Sequence, residues 1–436
     1  MSALPQSSAH EWPQEPGSGR GRSHGTSSTE PFDRWFRYPA GFASDYVAML
    51  LDSLGLAEGT VVDCFAGSGV TGTAARQRGL DFVGIEAHPL VAEVASLKLI
   101  PTATPNQVRA LSDEIRASAQ VMAKVDAKAL TAETDLVKRS FDEETLCRLV
   151  GLRRLIQDKV AEPAAPYLKW ALLGTLRDVA DVKVGWPYQR PGVSRKPRYT
   201  DPLARLMARA EMIAEDLELL DQDRGAAEMV VGDSRNSETW AGVTDAASAC
   251  VASPPYLNNF DYADATRLEL YFWGEVRTWA DMCREVRSDM LTATTQQSSV
   301  GEKASAIAAL EAMGDEAARQ VLKLVDAIGE VQKSRSRRAK EYDRVAPAYF
   351  VAMRQILENL YAHLAPEASV LWLVGDSAPY GVYVDTPRLI GELAVGAGFE
   401  FVDDVQLRVR GNRWGSNTDR HKVVLSERLL ILRRHA

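Results

Sequence analysis

Two short stretches of this chain carry residue types that could do chemistry. The first is Gly67-Ser68-Gly69-Val70-Thr71-Gly72. Glycines at that spacing let a ligand come against the backbone, and a following helix offers free N–H groups and the positive end of its dipole. Nineteen residues after Gly67, closing the next apolar run, stands Glu86. A carboxylate there is placed to accept hydrogen bonds from two ribose hydroxyls. The second stretch is Ser253-Pro254-Pro255-Tyr256. Its two prolines make a rigid turn without a backbone N–H, leaving a hydroxyl and carbonyl oxygens beside an aromatic ring. Such a group accepts hydrogen bonds from a planar NH₂ while Tyr256 stacks on the ring that bears it.

The elements that must position these residues follow from periodicity. Tyr46, Val47, Leu50, Leu51 and Leu54 have helical spacing within 44–56. A strand over Thr60–Asp63 leads into the glycine stretch, helix-favouring residues run from Thr73 to Arg78, and a strand over Phe82–Ile85 ends at Glu86. Strand, glycine loop, helix, strand and acid make the first half of a doubly wound α/β sheet. The alternation resumes with strands over 228–231, ending near Asp233, and 248–252, ending at Ser253. A helix over 346–363, a strand over 369–374, a helix over 387–395 and strands near 399–410 and 423–432 follow, the last two predicted as an antiparallel pair at the sheet edge. The expected organisation is a disordered, Ser/Gly/Pro-rich tail at 1–30, a catalytic domain assembled from 31–100, 226–274 and 346–436, and helical insertions at 101–225 and 275–345. Within 264–274, Tyr271, Phe272 and Trp273 read as core aromatics.

Composition sets the class. The 436 residues are 46% apolar and 25% charged, an ordinary soluble globular composition. No apolar run reaches membrane-spanning length and the start is polar, so the expectation is a cytoplasmic protein without membrane contact. The four cysteines (Cys64, Cys147, Cys250 and Cys283) show no paired spacing, and the six histidines form no ligand motif, so neither disulfides nor a metal are expected. The net charge of −8 argues against a polyanion partner, but the charges are segregated. Lys183, Arg190, Arg195, Lys196 and Arg198 occur without an acid among them and are interleaved with Trp186 and Tyr188. That combination suits phosphate contact with base or sugar stacking. Further basic stripes lie at 333–344 and 408–422.

The glycine turn alone would hold a nucleotide or S-adenosylmethionine equally well. Asp63-Cys64-Phe65-Ala66-Gly67-Ser68-Gly69 together with Ser253-Pro254-Pro255-Tyr256 resembles the amino-group DNA methyltransferases of cytosine-N4 and adenine-N6 type. Phe36-Arg37-Tyr38-Pro39-Ala40-Gly41-Phe42 is similar to the element that precedes their loop. The resemblance spans about 31–100, 228–275 and 346–433, departs from the commonest loop at Cys64, and leaves both insertions unmatched. It implies a Rossmann-like sheet and S-adenosylmethionine as cofactor. Phe36, Tyr38, Pro39, Asp63, Phe65, Ala66, Gly67, Ser68, Gly69, Glu86 and Asp233 would bind it, Asp233 taking the adenine amino group. Ser253, Pro254, Pro255 and Tyr256 would be catalytic, acting on a nucleotide flipped out of double-stranded DNA. The serine form of the second motif is most typical of cytosine-N4 enzymes. Adenine-N6 methylation, methylation of RNA bases or a protein amide, and a silent cofactor-binding subunit are the alternatives. A dinucleotide dehydrogenase leaves Ser253 to Tyr256 without a use. Asn258, Asn259 and Asp261 are expected at the pocket rim and Asp376 at its floor. Neither the target sequence nor a restriction nuclease partner is readable from these residues.

Overall fold

The computed structural model describes residues 12–13, 29–38, 43–121, 130–182, 200–220, 225–243, 246–258, 261–294, 301–335, 341–410 and 424–436. Short apolar runs ending in Asp, Glu or Ser become the strands β1 (Thr60–Asp63), β2 (Asp81–Glu86), β3 (Ala227–Val231) and β4 (Ala247–Ala252). They are followed by β5 (Leu364–Gly375), β6 (Phe399–Arg410) and β7 (Leu425–Arg434). All seven form one sheet in the order β3-β2-β1-β4-β5-β7-β6. Strands β1 to β5 are parallel, and β7 runs antiparallel between β5 and β6. The Rossmann-like doubly wound sheet expected from the sequence is therefore present, with its antiparallel pair at the far end.

Period-2 alternation sorts the strand side chains onto two faces. Val61, Phe82, Val251, Leu371, Leu373, Leu429 and Ile431 face α1 (Ser44–Leu54) and α2 (Val70–Arg76). Val62, Ile85, Cys250, Val370, Trp372, Leu430 and Leu432 face the opposite layer, which contains α3 (Pro89–Leu99) and the helices Tyr342–His363 and Thr386–Gly396. Within the segment expected to lack order, Trp12 packs against the first of these clusters and the Tyr46 hydroxyl donates to the Pro13 carbonyl at 3.2 Å. An aromatic ring covering apolar surface is reason enough for that part of the tail to dock.

The first insertion is a helical bundle: Pro105–Val121, Glu143–Gln157, Ala165–Val179 and Pro202–Glu218. Ala165–Val179 is buried almost all round, with Tyr167, Leu168, Trp170, Leu172, Leu173 and Leu176 inside, and so forms the bundle's axis. The second insertion carries the helices Glu302–Met313 and Glu316–Lys333. In the expected helix near 264–274 the aromatics differ in burial: Phe272 is buried, while Tyr271 and Trp273 are half-buried.

One buried carboxylate joins the first insertion to the sheet domain. Asp216, fully buried, accepts from the Phe32 amide (2.8 Å), the Trp35 indole (2.8 Å) and Arg34 (3.1 Å). Removing it would leave buried donors and a partly buried guanidinium without their acceptor. Asp216→Ala is expected to destabilise the protein by about 3 kcal/mol, read as a lower denaturant midpoint. An unchanged midpoint would mean that this carboxylate does not hold residues 29–38.

Candidate active site

The glycine turn leaves β1 at the point where strand order reverses, between β1 and β4, and ligands of open α/β sheets bind at such a switch. Gly67 and Gly69 adopt φ of 53° and 83°, which a side chain would strain. A Cβ on Gly69 would also come within 3.1 Å of the Ala95 Cβ in α3. Asp63 fixes the start of the turn by accepting from the Phe65 amide (3.0 Å) and the Thr71 hydroxyl (2.6 Å). Glu86 fixes its middle by accepting from the Gly67 amide (2.7 Å) and the His88 amide (2.8 Å). Burial raises both carboxyls to a pKa of about 7, against the hydrogen bonds, which lower it. From behind, the buried Lys98 ammonium donates to the Ser68 carbonyl at 2.9 Å, and burial brings its pKa down to about 8. The Ser68 hydroxyl is buried beside the cleft and has no hydrogen-bond partner among the described residues.

The diproline corner leaves β4 next door. Tyr349 donates to the Pro255 carbonyl at 2.9 Å, and the Tyr256 amide donates to the Tyr262 hydroxyl at 3.0 Å. These two tyrosines hold a turn that cannot hydrogen-bond itself. Ser253, half-buried, lies 3.4 Å from the Leu373 carbonyl. The Tyr256 hydroxyl donates to Glu427 of β7 at 2.5 Å, and Arg410 lies over the Tyr256 ring at 4.8 Å from its centroid. Burial and the neighbouring Glu427 charge hold the Tyr256 phenol well above its ordinary pKa, so it stays a donor.

An open cleft lies between the two corners. It is lined by Tyr38, Phe65, Ala66, Gly67, Ser68, Glu86, Asp233, Ser253 and Pro255 of the residues singled out in the sequence. The other singled-out residues sit around it. Asp63 and Gly69 support the turn from outside the lining, Pro254 is buried in the corner, and Tyr256 faces β5 and β7. Phe36 packs edge-on against Trp170 at 5.0 Å with Arg177 over its face, so it seats the segment on the first insertion and leaves the cleft to Tyr38. Asp233 enters the cleft already engaged by Arg235, whose Nε is 2.8 Å from both carboxylate oxygens.

Other expectations shift. Asp261, expected at the rim, is buried in an ion pair with Arg287 (2.7 Å). Asn258 has φ 58° and ties the corner to Ala293, its amide donating to the Ala293 carbonyl at 2.8 Å. Asp376, expected as a pocket floor, accepts from the Ser426 amide and hydroxyl (2.7 Å each) and so couples β5 to β7. Pro39, Asn259, and the basic loop residues Lys183, Trp186, Tyr188, Arg190, Arg195, Lys196 and Arg198 lie outside the described residues.

Sequence reasoning missed the cleft wall made by the second insertion: Asp289, Met290 and Leu291. Arg287 places that wall, since it is stacked over Trp279 at 4.1 Å and paired with Asp261. Tyr262 and Ile356 were missed too; only the proximity of Tyr262 to the diproline motif could have signalled it. Among the described residues no group of three or more His, Cys, Asp and Glu could hold a metal, and no helix is long and apolar enough to cross a membrane.

Comparison with known proteins agrees with this geometry. Residues 9–96 match the family model of N6/N4-type DNA methylases, a span that covers the glycine turn and Glu86. The chain is 23% identical over 314 residues to the Type II methyltransferase M.BsoBI of Geobacillus stearothermophilus. That match takes in 64% of this chain and 59% of the relative's length. With the glycine turn, the acid after β2 and the diproline corner gathered at the switch point of one sheet, the chain is similar to the amino-group DNA methyltransferases of N4/N6 type.

Proposed function

We propose that the protein transfers a methyl group from S-adenosylmethionine to the exocyclic N4 of cytosine in a nucleotide flipped out of double-stranded DNA. The observation that carries this reading is one cleft lined by both Glu86 and Gly67 on one side and by Ser253 and Pro255 on the other. The cleft's residues fit the cofactor. Glu86 offers a carboxylate to ribose hydroxyls, and the buried Ser68 hydroxyl beside it has no hydrogen-bond partner among the described residues. Bound there, S-adenosylmethionine supplies an electrophilic methyl group on a sulfonium.

The chain's own residues do the rest. An exocyclic amine is a weak nucleophile because its lone pair is delocalised into the ring. The Ser253 hydroxyl and the Pro254 carbonyl accept its N–H bonds, favouring a pyramidal nitrogen and aiming the lone pair. Positioning and a preorganised polar site then supply most of the rate. The proton can leave after transfer, so no strong base is required. The serine at the head of the corner favours cytosine. The first insertion, with its basic loop at 183–198, is the proposed reader of the duplex, and a cytoplasmic setting suits this activity.

Two measurements test the reading. Genomic DNA incubated with labelled cofactor and digested to nucleosides should carry N4-methylcytosine. N6-methyladenine would move the target within the family, and label on RNA or protein alone would overturn the substrate class. The second test concerns pH. Glu86 has a raised pKa of about 7 in the empty protein, and ribose hydroxyls need its charged form. Cofactor affinity should be full above that pH and fall about tenfold per unit below it. Glu86→Gln should weaken binding at high pH by roughly tenfold to a hundredfold and flatten the profile. A profile unchanged by the substitution would remove Glu86 from the cofactor site.

A further inference from the structure

Three arginines reach the inner and outer strands of the antiparallel pair, and one of them is placed differently. Arg408 pairs with Glu427, and Arg428 pairs with Asp385 and Asp404. Arg410, the last residue of β6, has no carboxylate partner among the described residues. Its guanidinium lies over the Tyr256 ring, 4.8 Å from the centroid, and donates to the Asp376 main-chain carbonyl at 3.2 Å. Gly375 makes room for it: a Cβ there would fall within 2.0 Å of the Arg410 guanidinium and 2.8 Å of the Tyr256 ring. Behind the ring, Glu427 holds the phenol hydroxyl, so the ring cannot swing away to follow the guanidinium. A fixed aromatic face in the diproline corner is thus covered by a half-buried cation held by one carbonyl and a cation–π contact. Such a contact is weak where solvent reaches it.

We propose that Arg410 is a displaceable plug of the target-base slot. It occupies the stacking face of Tyr256 in the free protein, yields that face to the flipped base, and moves to a backbone phosphate. The inference rests on the reading of the protein as a DNA base methyltransferase. A planar guanidinium suits both states, since it stacks on a ring as a base does and binds phosphate through its forked N–H groups. Its release couples base entry to one added phosphate contact. That step forms and breaks no covalent bond.

The test uses the full chain and two duplexes. One carries a methylation site mapped beforehand on DNA treated with the enzyme; the other has an abasic nucleotide in place of the target base. Dissociation constants are measured from about 50 to 200 mM salt. Each phosphate neutralised adds about 0.9 to the slope of log affinity against log salt. The wild-type protein should show a slope steeper by about that amount on the target duplex, a three- to fourfold greater loss of affinity across the range. Arg410→Ala should give equal slopes on the two duplexes, and Arg410→Lys should keep the difference. Unchanged cofactor affinity shows that each variant is folded. Equal slopes in the wild-type protein, or a difference that survives in Arg410→Ala, would overturn the proposal. Absence of any methylated base at the mapping stage would instead overturn the reading beneath it.

Discussion

The parallel register of β1 against β4 is the constraint on which the rest of the molecule depends. Val61 pairs with Ala249 and Val62 with Cys250, so the two strands end at nearly the same level. What leaves β1 is a turn that only glycines can make, and what leaves β4 is a turn that prolines make rigid. A slip of one residue would turn the side chains of β4 to the opposite face and move Ser253 off the cleft. Strand β4 is buried on both faces, with Val251 on one side and Cys250 and Ala252 on the other. The apolar run that makes β4 legible also aligns the chemistry.

Around this pair of turns the protein buries charge where it would rather not. Asp63, Glu86 and Lys98 each stand against a desolvation cost, visible as two carboxyls raised and one ammonium lowered. Every one is tied to backbone of the glycine turn or its flanks. These groups hold a loop whose side chains, Phe65 and Ala66, pack only at its start. The arrangement suits a site that must be shaped before its ligand arrives, because preformed dipoles need no reorganisation on binding.

Much of this was legible in the sequence, for a physical reason. Strand runs bounded by Asp, Glu, Gly and Pro announce themselves locally, and both corners are made of consecutive residues. The parts that were not legible arrive by long-range packing. Strand β5 begins at Leu364 rather than near Ser369, because its first residues include Pro366 and Glu367 at φ 63°, which break the local strand pattern. That β7 lies between β5 and β6 depends on register alone, which no local pattern records. The wall Asp289–Leu291 comes from a helical insertion, carried to the cleft by the buried Arg287–Asp261 pair. Lys98 looks like any lysine in the last turn of a helix until its tip is found under Ser68. Tyr256 follows its prolines in sequence, yet the corner sends its ring toward Gly375 and Glu427, where the missing side chain of the one and the carboxylate of the other receive it.

The central claim is that the Ser253 corner acts on the acceptor amine while the glycine turn separately holds the methyl donor. Replacing Ser253 by Ala and measuring single-turnover methyl transfer to DNA at saturating cofactor, alongside cofactor affinity, tests it most directly. Loss of a polar group used mainly in the transition state should lower the rate by about a hundredfold or more and leave cofactor affinity unchanged. A rate equal to that of the wild-type protein, or a loss of cofactor binding that accounts for the whole defect, would contradict it.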